Sequence, residues 1–426
     1  MQNILSKKIN IFLILLFTYF LNFFYNVYLT HHLGPKDYGE IALVLRIMIF
    51  IFPFFLMGSS DSMSRFVPLY LEKKQFSLYF GFHHWAFKQF VLSLLILLVV
   101  NSFLIVWVLI NPFEQLIFTN YHFLLYSLWL IPLYSLMIYL GTLLRCLHHQ
   151  KLGSIFGFYP ALSLLFLMVF KYFDPFINNI KVIISIGLSI ILLLLFNLVI
   201  IFRKSPPSTT KKINNELKNE WKKVSFHMMW NTIIWIGIAS IDIFMMELLD
   251  TKINVGRLNV ILTITNIFPI IENASNSIII PYISPLFFNN DLKKMQQLFN
   301  KSIFFRFSIG LLLAIIILCF HNSLLAAFGP NYLILGGSLI TLTIGYILYL
   351  LFSTAAMFLL YTGHQNILFK INLVQLFLVV ILDYFLIPRF HVAGAVSSLI
   401  VGFLFAEFLS FLALHFYLKI KLLVFV

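Results

Sequence analysis

Long apolar segments, separated by short polar ones, make up nearly the whole chain. Since about 20 apolar residues are needed to cross the hydrocarbon core of a bilayer, this pattern predicts twelve transmembrane helices. The polar segment at 203–223 is the longest, contains Pro206 and Pro207 beside mixed charges, and has six predicted spans on each side. We therefore predict an all-α polytopic membrane protein with an N-terminal six-helix lobe (1–202), a cytoplasmic linker (203–223) and a C-terminal six-helix lobe (224–426). The predicted spans lie near residues 9–30, 40–63, 86–111, 121–144, 154–172, 181–202, 224–249, 258–288, 302–327, 333–360, 367–388 and 392–418.

A faint repeat relates the two halves. Gly39 and Gly256 are 217 residues apart, as are Pro68 and Pro285, and each pair occupies equivalent places among the predicted spans. Because each half has an even number of spans, the halves have the same orientation and are expected to be related by a pseudo-two-fold axis along the membrane normal. A substrate site is expected between them.

The composition agrees with a membrane protein and not with an ordinary soluble one. Apolar residues make up 61% of the chain and charged residues only 10%, against about 25% charged in soluble domains. Most Lys and Arg fall in loops that are cytoplasmic if both termini are cytoplasmic, so the positive-inside rule accounts for the net charge of +14 with lipids as partners and without nucleic acid. The two cysteines have no partner at metal-ligand spacing, and no metal site is predicted.

Charged and amide side chains inside predicted spans are the candidates for function. A charge at the centre of a span costs about 2.5–3.5 kcal/mol if it faces lipid, so such groups should face protein or water. Amides recur along the first span at Asn22 and Asn26, and along the eighth at Asn266 and Asn273. These amides are also suited to interhelical hydrogen bonding, which contributes about 0.6–2 kcal/mol per contact. Both interpretations stay open. The charged residues within spans are Arg46, Asp61, Asp242, Glu272 and Glu407.

Several short motifs resemble one family of transporters. They include Leu33-Gly34-Pro35-x-Asp37-Tyr38-Gly39, Arg65-Phe66-Val67-Pro68, Phe328-Gly329-Pro330-Asn331-Tyr332, Thr362-Gly363-His364-Gln365 and the run from Ile387 to Ala395. Their order among twelve spans is similar to the polysaccharide-transporter branch of the multidrug/oligosaccharidyl-lipid/polysaccharide superfamily. The resemblance implies a cavity between two lobes that opens alternately to each side of the bacterial inner membrane. It also implies transport of a lipid-linked oligosaccharide.

From these observations we predict a flippase that moves an isoprenyl-diphosphate oligosaccharide from the cytoplasmic to the outer leaflet, for O-antigen or other surface polysaccharide. Its candidate partners, implied by the resemblance, are the polysaccharide polymerase and chain-length machinery. The predicted substrate-binding residues are Arg46, Asn22, Asn26, Asn266 and Asn273, and the predicted ion-coupling residues are Asp242, Glu272 and Glu407. An intramembrane carboxylate is suited to ion coupling, and an arginine to holding a diphosphate.

Two alternatives belong to other classes. The first is a multidrug exporter of the same superfamily. The second is a membrane-embedded polysaccharide polymerase or ligase, which needs catalytic acids or bases that meet the sugar in water. The longest outer loop, 111–121, carries one acid, Glu114, and the chain has no GxSxG, HExxH or Walker sequence. We therefore expect no enzyme activity and no cofactor.

Overall fold

Helices form nearly all of the described chain. The computed structural model describes residues 2–110, 128–147, 149–153, 155–204 and 215–420. The loop 111–121 with Glu114 and part of the polar segment 203–223 lie outside these ranges. Within them there is no strand, and there are fourteen α-helices: α1 (Gln2–Leu56), α2 (Ser59–Glu72), α3 (Phe76–Ile110), α4 (Leu130–Cys146), α5 (Gln150–Gly153), α6 (Tyr159–Phe173), α7 (Asn179–Lys204), α8 (Asn215–Leu249), α9 (Lys252–Thr265), α10 (Ile267–Phe288), α11 (Leu292–Ala326), α12 (Gly336–Phe352), α13 (Thr354–Tyr361) and α14 (Gln365–Leu418).

The predicted spans coincide with these helices. Helices α1 and α14 contain 55 and 54 residues and are each broken at one non-helical residue, Gly34 and His391 respectively. A straight helix of this length would measure about 80 Å, more than twice the roughly 30 Å of hydrocarbon, so each of the two provides two spans. The eighth span is the pair α9 and α10, which meet at a bend of 42°. The prediction of an all-α polytopic membrane protein with about twelve spans is confirmed.

Three helices begin well before their predicted spans. Helices α3, α8 and α11 start at Phe76, Asn215 and Leu292, about ten residues earlier than the apolar windows at 86, 224 and 302. The first turns of α8 and α11 are polar, so a hydropathy window misses them, whereas α3 begins with aromatic residues interrupted by Gly81 and two histidines. Asp291 caps α11, because its Oδ1 accepts a hydrogen bond from the backbone N–H of Lys294 at 3.1 Å. Hydrogen bonding from the Lys294 side chain also lowers the pKa of the Asp291 carboxyl.

Helix α8 extends into the predicted linker and is anchored there. Trp221 is fully buried, and its Nε1 donates a hydrogen bond to the Tyr70 hydroxyl at 2.8 Å. The ring also packs beside Phe82 at a centroid distance of 5.5 Å. Residues 215–223 are therefore folded helix.

The chain divides into two compact units. The split unit consists of Met1–Leu43 and Gly237–Val426, and the middle unit is Val44–Ile236. One buried cluster in the middle unit is rich in aromatic side chains, and one buried cluster in the split unit is mostly aliphatic. Representative core residues are Phe66, Tyr79, Phe82 and Trp221 in the middle unit and Ile283, Phe299, Phe358 and Leu414 in the split unit. The lobe boundaries expected from the hydropathy pattern stay a prediction.

Within the split unit, the two glycines related by the 217-residue repeat lie against each other. A Cβ on Gly39 would lie 2.1 Å from the carbonyl oxygen of Lys252, and a Cβ on Gly256 would lie 2.3 Å from that of Pro35. Only glycine permits backbones to approach this closely. Beside this contact, Lys252 and Glu40 form an ion pair at 3.0 Å.

Candidate functional site

Three charged side chains are buried together in the split unit. Arg306 on α11 is 0% exposed, and Glu272 on α10 and Glu407 on α14 are 9% and 7% exposed. Arg306 interacts electrostatically with both carboxylates. We call these three residues the buried triad. An ionised group removed from water in this way requires paired charges and hydrogen bonds.

The guanidinium of Arg306 is held by three hydrogen-bond acceptors. Its Nε donates to Ser275 Oγ at 3.0 Å, and its Nη1 donates to Ser353 Oγ at 3.1 Å. Its Nη2 donates to Asn276 Oδ1. These contacts fix the orientation of the guanidinium. They also connect α11 to α10 and to Ser353, the residue that precedes α13, so Arg306 has a structural role.

The two carboxylates of the triad have different surroundings. Oε2 of Glu272 accepts a hydrogen bond from the Tyr349 hydroxyl at 2.7 Å, and the Asn276 side chain also hydrogen-bonds Glu272. In contrast, Oε2 of Glu407 is buried and accepts no hydrogen bond from the described part of the chain. The Tyr349 ring packs 5.4 Å from the ring of Phe403 and thereby places apolar surface beside the acids.

Of the three predicted ion-coupling acids, the structure brings two together. Glu272 and Glu407 belong to the triad, whereas Asp242 is buried on a different helix, α8.

Sequence reasoning missed Arg306 and also Asp383, which is fully buried on α14 and accepts a hydrogen bond from Ser398 Oγ. Both charges lie inside predicted spans. A charge inside a predicted span could have identified both residues from the sequence. Arg306, however, lies so close to the end of its span that it can be assigned to the neighbouring loop.

Two of the predicted substrate-binding amides take part in a buried network. Asn26 donates from Nδ2 to the backbone oxygen of Asn22 at 2.7 Å and accepts at Oδ1 from the Tyr38 hydroxyl at 2.7 Å. The same hydroxyl accepts from Nδ2 of Asn259 on α9 at 2.7 Å. Asn26 is buried, and Asn22 is half-buried. These contacts are the interhelical hydrogen bonding that the sequence left open as an alternative.

The other two amides are exposed within the eighth span. Asn266 lies at the bend between α9 and α10, and Asn273 lies on α10; both side chains are exposed. Because they are seven residues apart, close to two helical turns, they lie on one face. The structure therefore presents these two amides as an exposed polar strip, whereas Glu272, Ser275 and Asn276 of the same helix are buried.

Arg46 and Asp61 belong to the middle unit. Arg46 is half-buried and interacts electrostatically with Tyr159. Asp61 accepts a hydrogen bond from the Thr232 hydroxyl at 2.7 Å and interacts with Arg145. Thus Asp61 has a polar environment supplied by α4 and α8.

Comparison with solved structures shows the fold. An inward-facing multidrug resistance MATE family transporter of the MOP superfamily aligns with a TM-score of 0.72 and 15% identity, over 94% of each chain. The lipid II flippase MurJ, in an inward closed conformation, aligns with a TM-score of 0.69 and 16% identity, over 95% of this chain and 87% of that one. At these identities the likeness concerns the fold.

Comparison of sequences shows the family. The capsular polysaccharide biosynthesis protein CapF of Staphylococcus aureus is 26% identical over 179 residues, which cover 41% of this chain and 43% of that protein. The match thus spans less than half the length of the relative. The model of the family described as "Polysaccharide biosynthesis protein" matches residues 4–287, more than half of the chain. The chain therefore belongs to this family, in the polysaccharide-transporter branch of the multidrug/oligosaccharidyl-lipid/polysaccharide superfamily.

Proposed function

We propose that the protein is a flippase that carries a lipid-linked oligosaccharide across the bacterial inner membrane, from the cytoplasmic to the outer leaflet. The observation that carries this proposal is the exposed polar strip of Asn266 and Asn273 on a span that is broken at Asn266. Broken transmembrane helices with free backbone groups are a recurrent feature of transporter binding sites. Membership of the polysaccharide biosynthesis family supports a saccharide as the cargo.

Exposed amides suit a sugar and do not suit lipid. An amide that faces hydrocarbon without a partner loses its hydrogen bonds to water, at a cost of about 2–7 kcal/mol. A saccharide offers many hydroxyl groups that both donate and accept hydrogen bonds. Asn266 and Asn273 can pair with such groups through the carbonyl and the NH₂ of each side chain.

Arg46 is the proposed anchor for the diphosphate of the lipid carrier. It lies seven residues after Gly39 in α1, and at 1.5 Å per residue this places it about 10 Å along the helix from the glycine contact. A guanidinium can form two parallel hydrogen bonds to phosphate oxygens, which are stronger than neutral hydrogen bonds. Both termini lie in the cytoplasm in this proposal, since that orientation places most of the cationic loops there.

The test uses cells that lack their own surface-polysaccharide flippase and express this protein. We expect the wild-type protein to restore surface polysaccharide, and Asn266→Leu with Asn273→Leu to abolish it at matched protein levels. The control is Asn289→Leu, an exposed amide just after α10, which should retain activity. Full activity of the double variant would contradict the assignment of the polar strip to the cargo.

The multidrug exporter alternative gives a different result in the same cells. If the protein lowers sensitivity to cationic drugs and leaves surface polysaccharide absent, the proposed cargo is wrong. We expect no change in drug sensitivity.

A further inference from the structure

We propose that Glu272 and Glu407 together carry one exchangeable proton beside Arg306, and that this proton is the ion that drives the transport cycle. The proton-binding part stands on the geometry of the buried triad alone. Its role in transport rests on the function proposed above.

The charges of the triad do not balance when every group is ionised. Two carboxylates and one guanidinium leave a net charge of −1 among side chains that are at least nine-tenths buried. One proton on either carboxylate makes the triad neutral, and two neighbouring acids that share one proton are a recurrent solution to this problem.

The hydrogen bonds indicate which acid receives the proton. Glu272 accepts from Tyr349 and is bonded by Asn276, as an ionised carboxylate requires. Glu407 is within electrostatic reach of Glu272 and Arg306, but its Oε2 accepts no hydrogen bond from the described residues. Glu407 is therefore the acid that binds the exchangeable proton, and Glu272 is the ionised acid whose charge Arg306 neutralises.

The surroundings favour a proton over a metal cation. The groups that interact with the two acids are Arg306 from α11, Tyr349 from α12 and the neutral Asn276 from α10. Ser275 and Asn276 of α10 also accept hydrogen bonds from the arginine. A hard metal cation needs several oxygen ligands, and here it would lie beside the guanidinium, whose positive charge repels it. A proton needs one carboxylate oxygen only.

The triad is also built so that its charge affects packing. Arg306 connects α10, α11 and the segment before α13 through its three hydrogen bonds, and Glu407 lies on α14. Loss of the proton from Glu407 leaves a second carboxylate that competes for the same guanidinium. A change in protonation can therefore shift the balance between two arrangements of these helices.

The direct test measures the proton itself. The purified protein in lipid nanodiscs is titrated from acidic to alkaline buffer, and the C=O stretch of protonated carboxyl groups is followed by infrared difference spectroscopy. We expect the wild type to lose one more buried carboxyl proton per molecule than Glu407→Gln, and this difference separates the triad from other buried acids such as Asp383. The matched control Glu216→Gln, an exposed acid on α8, should keep the signal. Glu407→Asp, which conserves the carboxyl, should restore it and shows whether loss in the glutamine variant reflects misfolding.

Two outcomes would overturn the proposal. One is a signal that persists unchanged in both Glu407→Gln and Glu272→Gln. The other is removal of the signal by Na⁺ at constant pH in the wild type, which would assign the site to a metal cation.

A second arm connects the proton to transport. In the cells described above, collapse of the transmembrane pH gradient should lower surface polysaccharide at least tenfold with the wild-type protein. Glu407→Gln should respond less than twofold, and an unaltered tenfold response in this variant would contradict the coupling role. If the wild type produces no surface polysaccharide under any condition, the proposed flippase function fails, whereas the infrared result still decides whether the triad binds a proton.

Discussion

Two arginines in transmembrane helices illustrate how environment assigns a role to a residue. Arg306 is fully buried and its three nitrogens are bound to acceptors on neighbouring segments. Arg46 is half-buried in the middle unit. The first arrangement is that of a structural and electrostatic centre, whereas Arg46 is the anchor that we propose for the diphosphate of the lipid carrier.

Arg306→Ala should lower the free energy of unfolding by about 3–5 kcal/mol, because it removes one partner of a buried charged group. Thermal unfolding of the purified protein in detergent measures the effect as a lower midpoint. Arg389→Ala, at an exposed position on α14, is the matched control and should change stability by less than about 0.5 kcal/mol. Equal midpoints for the two variants would contradict the role assigned to Arg306.

Tyr38→Phe should cost about 1–3 kcal/mol of stability. The hydroxyl of Tyr38 donates to Asn26 and accepts from Asn259, so its removal leaves two buried amides without this partner. The same unfolding assay applies, with the exposed Tyr384→Phe on α14 as the control. If Tyr38→Phe is as stable as the control, the network does not hold these helices together.

The sequence predicted the amides of this network but not their partners. A spacing of four residues places Asn22 and Asn26 on one face, and that is confirmed by their mutual contact. Whether the face meets cargo or protein depends on Tyr38 and Asn259, twelve and 233 residues further along the chain. Such distant pairing is set by tertiary packing and leaves no local periodicity to read.

At the scale of helices, hydropathy predicts where a span exists more reliably than where its helix begins. Apart from residues 111, 121–127 and 154, which lie outside the described ranges, the predicted spans fall largely on helices because apolar length is a direct requirement of the bilayer. The early start of α11 coincides with the Asp291 cap, and the early starts of α3 and α8 coincide with buried aromatic side chains. Trp221 is the clearest case, since its burial extends α8 into a segment whose composition is typical of a linker.

Gly39→Ala should destabilise the contact between the first predicted loop and α9. The new Cβ would lie 2.1 Å from the carbonyl oxygen of Lys252, so backbone must move, at a cost of about 1–3 kcal/mol typical of overpacking. Gly337→Ala in α12, where a Cβ meets nothing within 4 Å, should be neutral or stabilising by up to about 1 kcal/mol. Unfolding midpoints of the two variants test this difference directly.

The same contact can be followed without stability data. Cysteines introduced at Glu40 and Lys252, whose side chains pair at 3.0 Å, should be joined by a short bifunctional thiol reagent when no other residue is changed. Addition of Gly39→Ala should reduce the yield of this cross-link. An unchanged yield would show that the glycine contact does not hold this pair in place.

At the scale of the whole molecule, the family and the fold were accessible from sequence and the charged centre was not. Turn motifs and span count identified the polysaccharide-transporter branch, which the family match confirms. The buried triad joins residues from three helices separated by more than 100 positions, from Glu272 to Glu407. The two acids could be predicted from the sequence because charges inside spans are costly. The arginine with which both interact, Arg306, was identified only from the structure.

The most direct test of flippase function is a measurement of the leaflet in which the lipid-linked oligosaccharide resides. Spheroplasts of the flippase-deficient cells are treated with a glycosidase that cannot cross the membrane, and the fraction of lipid-linked sugar that it cleaves is measured. With the wild-type protein most of the sugar should be cleaved, whereas with Arg46→Ala, at normal protein levels, the sugar should remain protected. Arg46→Lys should give an intermediate fraction, because lysine keeps the positive charge but cannot form two parallel hydrogen bonds to the phosphate. Equal cleavage in cells with the wild-type protein and with Arg46→Ala would remove Arg46 from the site, and no cleavage above the flippase-deficient background with the wild-type protein would contradict the flippase function itself.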